Sequence, residues 1–393
     1  MREALAHSPS GHLELTIDGQ MAFVPDNLPR EMPLSPPLVY QLDEASRAVA
    51  TLAGVGETIP NPHLLVRPFM RREAVLSSRI EGTQATLSDL FRYEASGLRH
   101  PRGDVLEVFN YVRALEEGLR LLPSLPIGVR LLDGVHAVLM RSVRGAEKQP
   151  GRFRDSQNWI GADGVPISEA RYVPPPPRAV WDSIGDWERF ANEDLAIPPL
   201  VACAMLHYQF EAIHPYLDGN GRVGRLLIVL YLCAKQVLPT PLLYLSAYFE
   251  RDRKEYYDQL LALSSTGDWE AWLAYFLRGV KEQATDALDR ARRIRELRER
   301  YRRLLTDRHE SGNALRLVDE LFATPYMTAP RAAALLEVTY VGARGILDRL
   351  EEAGIVRFEP DASPKLYVAN ELLEAVEGKI PGHSPHSAGS YGR

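Results

Sequence analysis

The chain has little cysteine, no large excess of charge and no long apolar run. Its 393 residues include only two cysteines, Cys203 and Cys233, both in apolar helical runs, which predicts buried free thiols rather than a disulfide framework. The formal net charge of −6 gives no general attraction to nucleic acid or to an anionic membrane. Residues Met1–Gly11 lack the apolar centre of a signal peptide, and the longest clean apolar run, Leu226–Ala234, is far too short to span a bilayer. We therefore expect a cytoplasmic protein that does not enter membranes.

What the sequence does contain is ordinary globular material, 45% hydrophobic and 25% charged, with the length of two or three domains. One polar stretch, His214–Arg225, stands out within it. Apolar residues at helical spacing precede it over Pro199–Ile213, and Leu226–Leu232 after it is too apolar for a surface loop. This order predicts a helix, a tight polar turn and a buried helix. Because Pro215 disfavours helical geometry at the residue before it, the first helix should end at His214 and present the imidazole there.

The same stretch has the composition of an anion site. Gly219 and Gly221 allow positive φ, so successive backbone amides can point into one concavity. That concavity opens the second helix, whose free N–H groups and dipole favour an anion. Arg222 and Arg225 are three residues apart and project from one side of its first turn. The stretch therefore predicts a phosphate cradle, with a histidine base and a metal-binding carboxylate, Asp218, beside it.

Each residue of the stretch also has a simpler structural interpretation as a turn, a helix cap or a solvated charge. Their combination directly before a buried helix favours a functional site. Gly219-x-Gly221-x-x-Gly224 matches the dinucleotide fingerprint, but no strand precedes it. A kinase loop would need a strand-borne lysine, and a Walker loop would need Gly-Lys-Ser/Thr; neither is present. His207, His214 and Asp218 form only a weak zinc pattern, because they are spread across a helix break.

The stretch resembles the signature of the Fic family, HPFx(D/E)GNGRxxR, with Tyr216 in place of the usual Phe. Fic enzymes are mostly protein adenylyltransferases, which move AMP from ATP to a hydroxyl of a target protein with magnesium. The resemblance implies that His214 takes the proton of the target hydroxyl and that Asp218 holds Mg²⁺. Arg222 and the glycine loop would hold the α- and β-phosphates, and Arg225 would reach the γ-phosphate. The implied ATP-binding residues are His214, Gly219, Asn220, Gly221, Arg222, Val223, Gly224 and Arg225.

A second resemblance concerns the helix predicted over Met70–Gly82, within an inhibitory helix at about residues 68–82. Glu81 lies near the C-terminus of this helix, where a carboxylate is mildly unfavourable. Ser77-x-x-x-Glu81-Gly82 is similar to the family's inhibitory motif, (S/T)xxxE(G/N). In Fic proteins that carry it before the core, the Glu pairs with the second motif Arg and ATP is held unproductively. The resemblance implies that Glu81 pairs with Arg225 here.

Residues 152–173 contain two short β-prone pieces around Ala162-Asp163-Gly164, which predict a β-hairpin at the rim of a helical body. A purely structural hairpin is the alternative interpretation. In the Fic family this region is a flap that pins a target segment beside the active site, and a flap edge can hold an extended segment by main-chain pairing. The resemblance thus implies that target proteins bind through the 152–173 flap.

The resemblance covers roughly residues 30–280. We expect an N-terminal region over 1–100 that begins with a proline-dotted extended arm (1–40), and then a catalytic core over 101–280. Tyr248 and Tyr256 are expected to be core aromatics rather than nucleotide contacts. The other helices predicted in these regions are Val39–Leu52, Leu87–Tyr93, Leu106–Leu122, Val129–Ser142, Tyr244–Tyr257 and Trp269–Phe276.

A charged connector helix is predicted at Lys281–Leu305, within residues 281–308, and it could also form a dimer surface. Residues 309–376 show three helices followed by two short strands, the pattern of a winged helix with Thr339–Glu352 in the recognition position. The three helical segments are predicted at Ala314–Phe322, Ala329–Leu336 and Tyr340–Glu352. Residues 313–375 carry six Lys and Arg against ten Asp and Glu, whereas DNA binding calls for a basic stripe. Protein contact or homodimerisation is therefore favoured over DNA binding. The tail, 377–393, is predicted to be disordered.

These patterns predict a mainly α protein, with a Fic-type helical core, a small β-hairpin flap and a C-terminal winged helix-turn-helix domain. The leading hypothesis is an autoinhibited adenylyltransferase acting on Ser, Thr or Tyr hydroxyls of target proteins and of itself. AMP removal is an alternative, because Glu81 could orient a water. Phosphocholine or phosphoryl transfer would be further chemistry on the same fold. A DNA-binding regulator that uses the fold as a sensor would not need an intact His214 with both arginines.

Overall fold

The computed structural model describes residues 2–58, 63–96, 103–162, 164–359, 362 and 364–378. The disordered tail expected from residue 377 lies almost entirely outside these residues, as does Asp163 of the expected flap turn. The described residues are mainly helical and belong to two compact units. One unit is drawn from Met1–Tyr93 and Leu98–Leu288, and the other from Glu94–Gly97 and Asp289–Arg393.

The N-terminal residues are not the extended arm that their prolines indicated. A short helix, α1 (Arg2–Ala6), leads into an antiparallel hairpin of β1 (Gly11–Leu15) and β2 (Met21–Pro25). The prediction failed because all the prolines considered lie beyond residue 28, whereas β2 is an apolar strand whose Phe23 is buried and packs near Tyr172.

The rest of the first unit is helical. The inhibitory helix expected at about 68–82 begins earlier and ends at Ile80, and Gly82 just after it has a positive φ of 96°. Helix α2 is longer than the predicted Val39–Leu52 because Pro36 starts it. The helices that follow the hairpin are α2 (Pro36–Thr58), α3 (His63–Ile80), α4 (Leu87–Ser96), α5 (Asp104–Leu121), α6 (Val129–Leu139), α7 (Pro177–Asn192), α8 (Pro199–Ile213) and α9 (Asn220–Ala234).

Helices α8 and α9 form the buried centre of this unit, with the polar stretch between them. Nearly all residues of both helices are buried, including the free thiols of Cys203 and Cys233, as the sequence predicted. The two helices approach closely at Gly224, where a Cβ would overlap the carboxylate of Glu211. His207 bridges them through Nδ1 to Gly224 O, at 3.0 Å. The loop at residues 214–219 is therefore fixed between two packed helices.

The predicted flap hairpin is reduced to a single antiparallel bridge between Ile160 and Tyr172, with a 3₁₀ turn at Ile167–Glu169 between them. No two-stranded hairpin forms in the part of 152–173 that is described. The prolines that follow, Pro174–Pro177, lack the N–H groups needed to extend the ladder. The backbone instead pairs with β2, whose Phe23 N–H donates to Val173 O at 2.9 Å.

Two further helix predictions need correction. The predicted helix Tyr244–Tyr257 is two helices, α10 (Ser246–Arg251) and α11 (Arg253–Thr266), because Asp252 caps the second by accepting the Glu255 N–H. Conversely, the separate helices predicted at Trp269–Phe276 and Lys281–Leu305 are one helix, α12 (Trp269–Asp307). Gly279 between them does not end the helix; the ring of Tyr248 packs against it where a side chain would clash.

The second unit begins within α12, and its described residues form four further helices and a small sheet. Two of the helices match the predicted bounds, and a strand at Tyr326–Met327 and a last helix were not predicted. The sheet order is β3-β5-β4, all antiparallel. The elements are α13 (Gly312–Ala323), β3 (Tyr326–Met327), α14 (Ala329–Leu336), α15 (Tyr340–Glu352), β4 (Arg357–Glu359), β5 (Leu366–Val368) and α16 (Asn370–Glu377). Within the described ranges, no helix has the length and apolarity to cross a membrane.

The boundary inside α12 predicts where the chain can be shortened. A protein that stops after Leu288 should keep a cooperatively folding first unit. A protein that stops after Asp307 keeps Ile294, Leu297 and Tyr301 but lacks the rest of the second unit, in which these side chains are buried. Their apolar surfaces would then be exposed. We expect the longer fragment to bind a hydrophobic dye and the shorter one to unfold in one sharp thermal transition. A broad transition in the shorter fragment would show that the first unit needs the second.

Candidate active site

His214 ends α8 with its backbone in the left-handed region, at φ 51°. Its Nδ1 lies 3.3 Å from Glu211 O, and because a carbonyl can only accept, Nδ1 carries the proton and Nε2 is free to accept one. Burial, with the charge of Arg154, lowers the pKa of His214 to about 4. The imidazole is therefore neutral at pH 7, as a general base must be.

The loop after His214 is held in shape by its own side chains. Asn220 Oδ1 accepts the Tyr216 N–H and Asn220 Nδ2 donates to Tyr216 O, both at 2.8 Å. Gly219 has a φ of 79°, and a Cβ there would lie 2.9 Å from Met140 Sδ. The side-chain amide of Asn220 therefore makes its hydrogen bonds within the loop. Helix α9 begins at this residue, and its free backbone N–H groups lie at the loop.

The two motif arginines lie buried against carboxylates. Arg222 has Glu107 Oε2 at 3.5 Å and Asp218 Oδ1 at 3.7 Å. Its Nε and Nη1, and Nη1 of Arg225, have no hydrogen-bond acceptor among the described residues. A buried donor without an acceptor costs about 1–3 kcal/mol. Guanidinium donors beside a helix N-terminus fit a phosphate chain, so the residues present suit a nucleotide.

Glu81 and Ser77 hold Arg225 from the end of α3. Arg225 Nη2 donates to Glu81 Oε1 at 2.7 Å, and its Nε donates to Ser77 Oγ at 2.8 Å. The Arg225 side chain is 1% exposed, whereas that of Glu81 is 31% exposed. A Cβ on Gly221 would overlap Glu81 Oε1. The carboxylate therefore lies over the first turn of α9, where an anion would bind.

The same segment reaches the other arginine indirectly. Thr83, two residues after Glu81, donates its hydroxyl to Glu107 Oε2 at 3.0 Å, and this carboxylate faces Arg222. The chain from Ser77 to Thr83 thus contacts one motif arginine directly and the other through Glu107.

Asp218, the expected metal-binding carboxylate, forms an ion pair with Lys148. Its Oδ2 accepts from Lys148 Nζ at 3.0 Å. Burial opposes ionisation, but Lys148 and Arg222 outweigh it and hold the pKa of Asp218 below its usual value. No group of three or more His, Cys, Asp or Glu positioned for a metal occurs within the described residues. Mg²⁺ commonly takes only one or two carboxylates plus substrate phosphates, so Asp218 alone fits it.

The zinc pattern of His207, His214 and Asp218 is not assembled. Both ring nitrogens of His207 are occupied, Nδ1 by Gly224 O at 3.0 Å and Nε2 by Tyr256 OH at 2.9 Å. His207 therefore ties α8, α9 and α11 together. Tyr256 and Tyr248 are both buried, as expected of core aromatics.

Several residues of the site were not identified from the sequence. His136 on α6 stacks on Tyr216 with ring centroids 3.8 Å apart. Its Nδ1 accepts the Gly151 N–H, so its Nε2 donates to Asp218 O at 3.0 Å. The only signal for His136 was a histidine within an apolar helix.

Asp133, one helical turn before His136, explains the Tyr216 that stands where the family has Phe. The Tyr216 hydroxyl donates to Asp133 Oδ1 at 2.9 Å. Burial raises the pKa of Asp133. Tyr in place of Phe therefore adds a hydroxyl group whose hydrogen bond is accepted by Asp133.

Comparison with known proteins finds matches to the Fic/DOC family. Residues 39–120 match the model of the Fic/DOC family N-terminal region, and residues 126–232 match that of the Fic/DOC family. Protein adenylyltransferase Fic of Nematostella vectensis is 27% identical over 241 residues, which are 60% of this chain and 52% of that protein. Protein adenylyltransferase fic-1 of Caenorhabditis elegans is 27% identical over 203 residues, 50% of this chain and 37% of that protein. The chain thus spans about half or less of these relatives' length.

Two solved structures share the fold. A Fic family protein from Desulfovibrio desulfuricans G20 superposes with a TM-score of 0.55 at 19% identity, covering 86% of this chain and 97% of that one. A Fic domain containing signaling protein from Bacteroides thetaiotaomicron gives a TM-score of 0.50 at 16% identity, covering 64% of this chain and 97% of that one. The two family matches together run from residue 39 to residue 232 and enclose both Glu81 and the loop after His214. Over that span the chain belongs to the Fic/DOC family.

Proposed function

We propose that this chain is a protein adenylyltransferase that moves AMP from ATP to a Ser, Thr or Tyr hydroxyl of a target protein and of itself. The observation that carries the proposal is the juxtaposition of a neutral His214 with a helix N-terminus and buried arginine donors that lack acceptors. The names of the curated relatives support it.

The residues divide the reaction between binding and proton transfer. The amides at the start of α9, with Arg222 and Arg225, bind the phosphate chain. Asp218 would hold Mg²⁺, which supplies positive charge to the phosphates when bound. These groups stabilise charge that develops on the pyrophosphate leaving group.

His214 acts on the acceptor. The target hydroxyl oxygen forms a bond to the α-phosphorus, its proton passes to His214 Nε2, and the bond to pyrophosphate breaks. The negative charge of a bound triphosphate raises the pKa of His214 from its low value in the free protein, which makes the imidazole a stronger base when substrate is present.

Glu81 restrains this chemistry in the proposed resting state. It occupies the guanidinium that would bind the γ-phosphate, and its carboxylate over Gly221 repels the triphosphate. Nucleotide would then bind with its α-phosphorus out of line. AMP removal at the same site is the second candidate, because the Glu81 carboxylate is partly exposed beside the start of α9 and could orient a water there.

Partner contacts follow from two other regions. We infer that the flap binds an extended target segment near the Ile160–Tyr172 bridge. The second unit, with α13–α15 and the three-stranded sheet, has the order of a winged helix. Its α15 begins with Tyr340 and Val341, which are 52% and 78% exposed. Together with its acidic balance, this apolar start favours a protein contact, including a homodimer, over DNA. A cytoplasmic location agrees with the two free thiols.

Replacement of the base should separate catalysis from binding. We expect His214→Ala to lose AMP transfer while nucleotide affinity stays within about threefold, because the cradle consists of amides and arginines. The measurements are transfer of label from ATP labelled at the α-phosphate and nucleotide titration by calorimetry. His12→Ala, at an exposed histidine on β1 that pairs with Glu14 and Asp26, is the control. Full activity in His214→Ala would remove it from the mechanism, and transfer of label from the γ-phosphate instead would indicate a kinase.

Removal of the restraining carboxylate should activate the enzyme. Misalignment of about 1 Å can cost on the order of 10²-fold in rate, so Glu81→Gly should raise the initial rate of AMP incorporation by about that factor. Glu81→Gln keeps the shape without the charge, and its rate should lie between those of wild type and Glu81→Gly. Arg225→Ala should stay inactive alone and combined with Glu81→Gly, because it lacks the γ-phosphate contact. Equal rates for wild type and Glu81→Gly would end the autoinhibition proposal.

A further inference from the structure

Arg154 is a buried arginine that the proposed reaction does not use. Its side chain lies just before the flap bridge and is almost wholly shielded, with the residue 3% exposed. Within the described ranges, no carboxylate forms an ion pair with it, although buried charges in proteins are ordinarily paired. Burial lowers the pKa of its guanidinium to about 10, so it still carries its charge at neutral pH.

Among the residues that the structure describes, the guanidinium of Arg154 donates only to backbone carbonyls. Nε donates to His214 O at 2.9 Å, and Nη2 donates to Pro175 O at 2.5 Å and to Ile213 O at 3.4 Å. Nη1 donates to Ser156 O at 3.4 Å, and the backbone N–H donates to Pro215 O at 2.9 Å. Carbonyls at the end of a helix have no intrahelical donor, so those of Ile213 and His214 need such a partner. Pro175 lies directly after the flap, so Arg154 contacts both the end of α8 and the end of the flap.

These contacts act on a residue whose backbone is strained. His214 has a φ of 51°, in the left-handed region that non-glycine residues adopt only under strain. Such a conformation persists where the surroundings determine it. Arg154 bonds the carbonyl of His214 and those of both neighbours, which fixes the direction in which the imidazole leaves the chain.

We propose that Arg154 is a positioning residue, whose guanidinium holds the carbonyls of His214 and Pro175 together so that the base and the flap keep one fixed geometry. The contact itself is independent of the reaction catalysed, and only its kinetic consequence rests on the proposed function. A target segment held by the flap is thereby presented at a fixed distance from the base.

The charge of Arg154 has a second effect at the same place. The charged groups around His214 are Arg154, Glu81 and Asp218, and Glu211 contributes its carbonyl at Nδ1. The two carboxylates favour the protonated imidazole, whereas the guanidinium and burial oppose it. Loss of the Arg154 charge should therefore raise the pKa of His214.

The first test is an NMR titration of the His214 ring in the full chain. In Arg154→Met, we expect the pKa of His214 to rise by about 1 unit, whereas in Arg154→Lys, which keeps the charge, it should stay within about 0.3 unit of wild type. Arg120→Met is the matched control, because Arg120 is exposed and pairs with Glu117 on α5. An unchanged titration in Arg154→Met would overturn the electrostatic part of the proposal.

The second test measures the geometric part by hydrogen exchange. Arg154→Lys cannot span four carbonyls with a single ammonium. We expect amides of residues 155–175 and 213–217 to exchange faster together in both Arg154 variants, with α5 unchanged. Faster exchange in only one of the two segments would contradict the proposed coupling. Failure of both variants to fold would assign Arg154 a purely structural role and would likewise overturn the proposal.

Kinetics then connect the coupling to the reaction. Arg154→Lys should lower kcat for AMP transfer by on the order of 10²-fold and leave KM for ATP within about threefold, because the nucleotide contacts lie on α9. A rise in KM with kcat unchanged would contradict positioning of the base. If wild type transfers no AMP at all, the proposed function fails, whereas the titration and exchange results still decide the role of Arg154.

Discussion

The burial of α8 against α9 determines most of what the site can be. Two nearly fully buried helices are joined by a short loop, and the polar groups of that loop must find partners inside the protein. Asn220 satisfies the backbone of Tyr216, His136 satisfies the carbonyl of Asp218, and Arg154 satisfies the carbonyls at the end of α8. The result is a loop whose backbone amides and arginines face the proposed phosphate site, while the side chains that hold the loop in shape bond its backbone from elsewhere. Precise geometry at the loop is thus a consequence of packing around it.

Under the proposed function, the Glu81 carboxylate and a phosphate compete for the Arg225 guanidinium. Removing one partner of a buried ion pair is strongly destabilising, because the other charge is left without compensation. Glu81 provides that compensation for Arg225 in the free protein, and the phosphate chain would provide it when nucleotide is bound. Glu81, directly after α3, is partly exposed, whereas Ser77 one turn earlier is fully buried.

The sequence predicted the parts of the fold that depend on local chemistry. Helix α8 was predicted to the residue, because Pro199 starts it and Pro215 limits its end, and Tyr340–Glu352 was predicted equally well. The pairing of Glu81 with Arg225 followed from a family resemblance in two separate stretches. Contacts between distant segments were missed. The flap could not be predicted correctly, because its partner β2 lies far from it along the chain. Nor could Arg154 and His136 be identified, since neither belongs to a pattern of neighbouring residues and each acts only through tertiary contacts.

Most residues of α3 are buried, and this has a consequence for how such a protein can change over evolution. A restraint supplied by a detachable segment could be lost by deletion, leaving an intact enzyme. Here α3, which ends one residue before Glu81, is also a wall of the hydrophobic core, and its Glu73 accepts a hydrogen bond from Tyr111 on α5. If Glu81 restrains the site as proposed, descendants of this chain can lose the restraint by a single substitution at Glu81, but they cannot discard α3 without losing the fold. Selection for folding alone will keep the helix in place, so the proposed restraint remains recoverable by one reverse mutation.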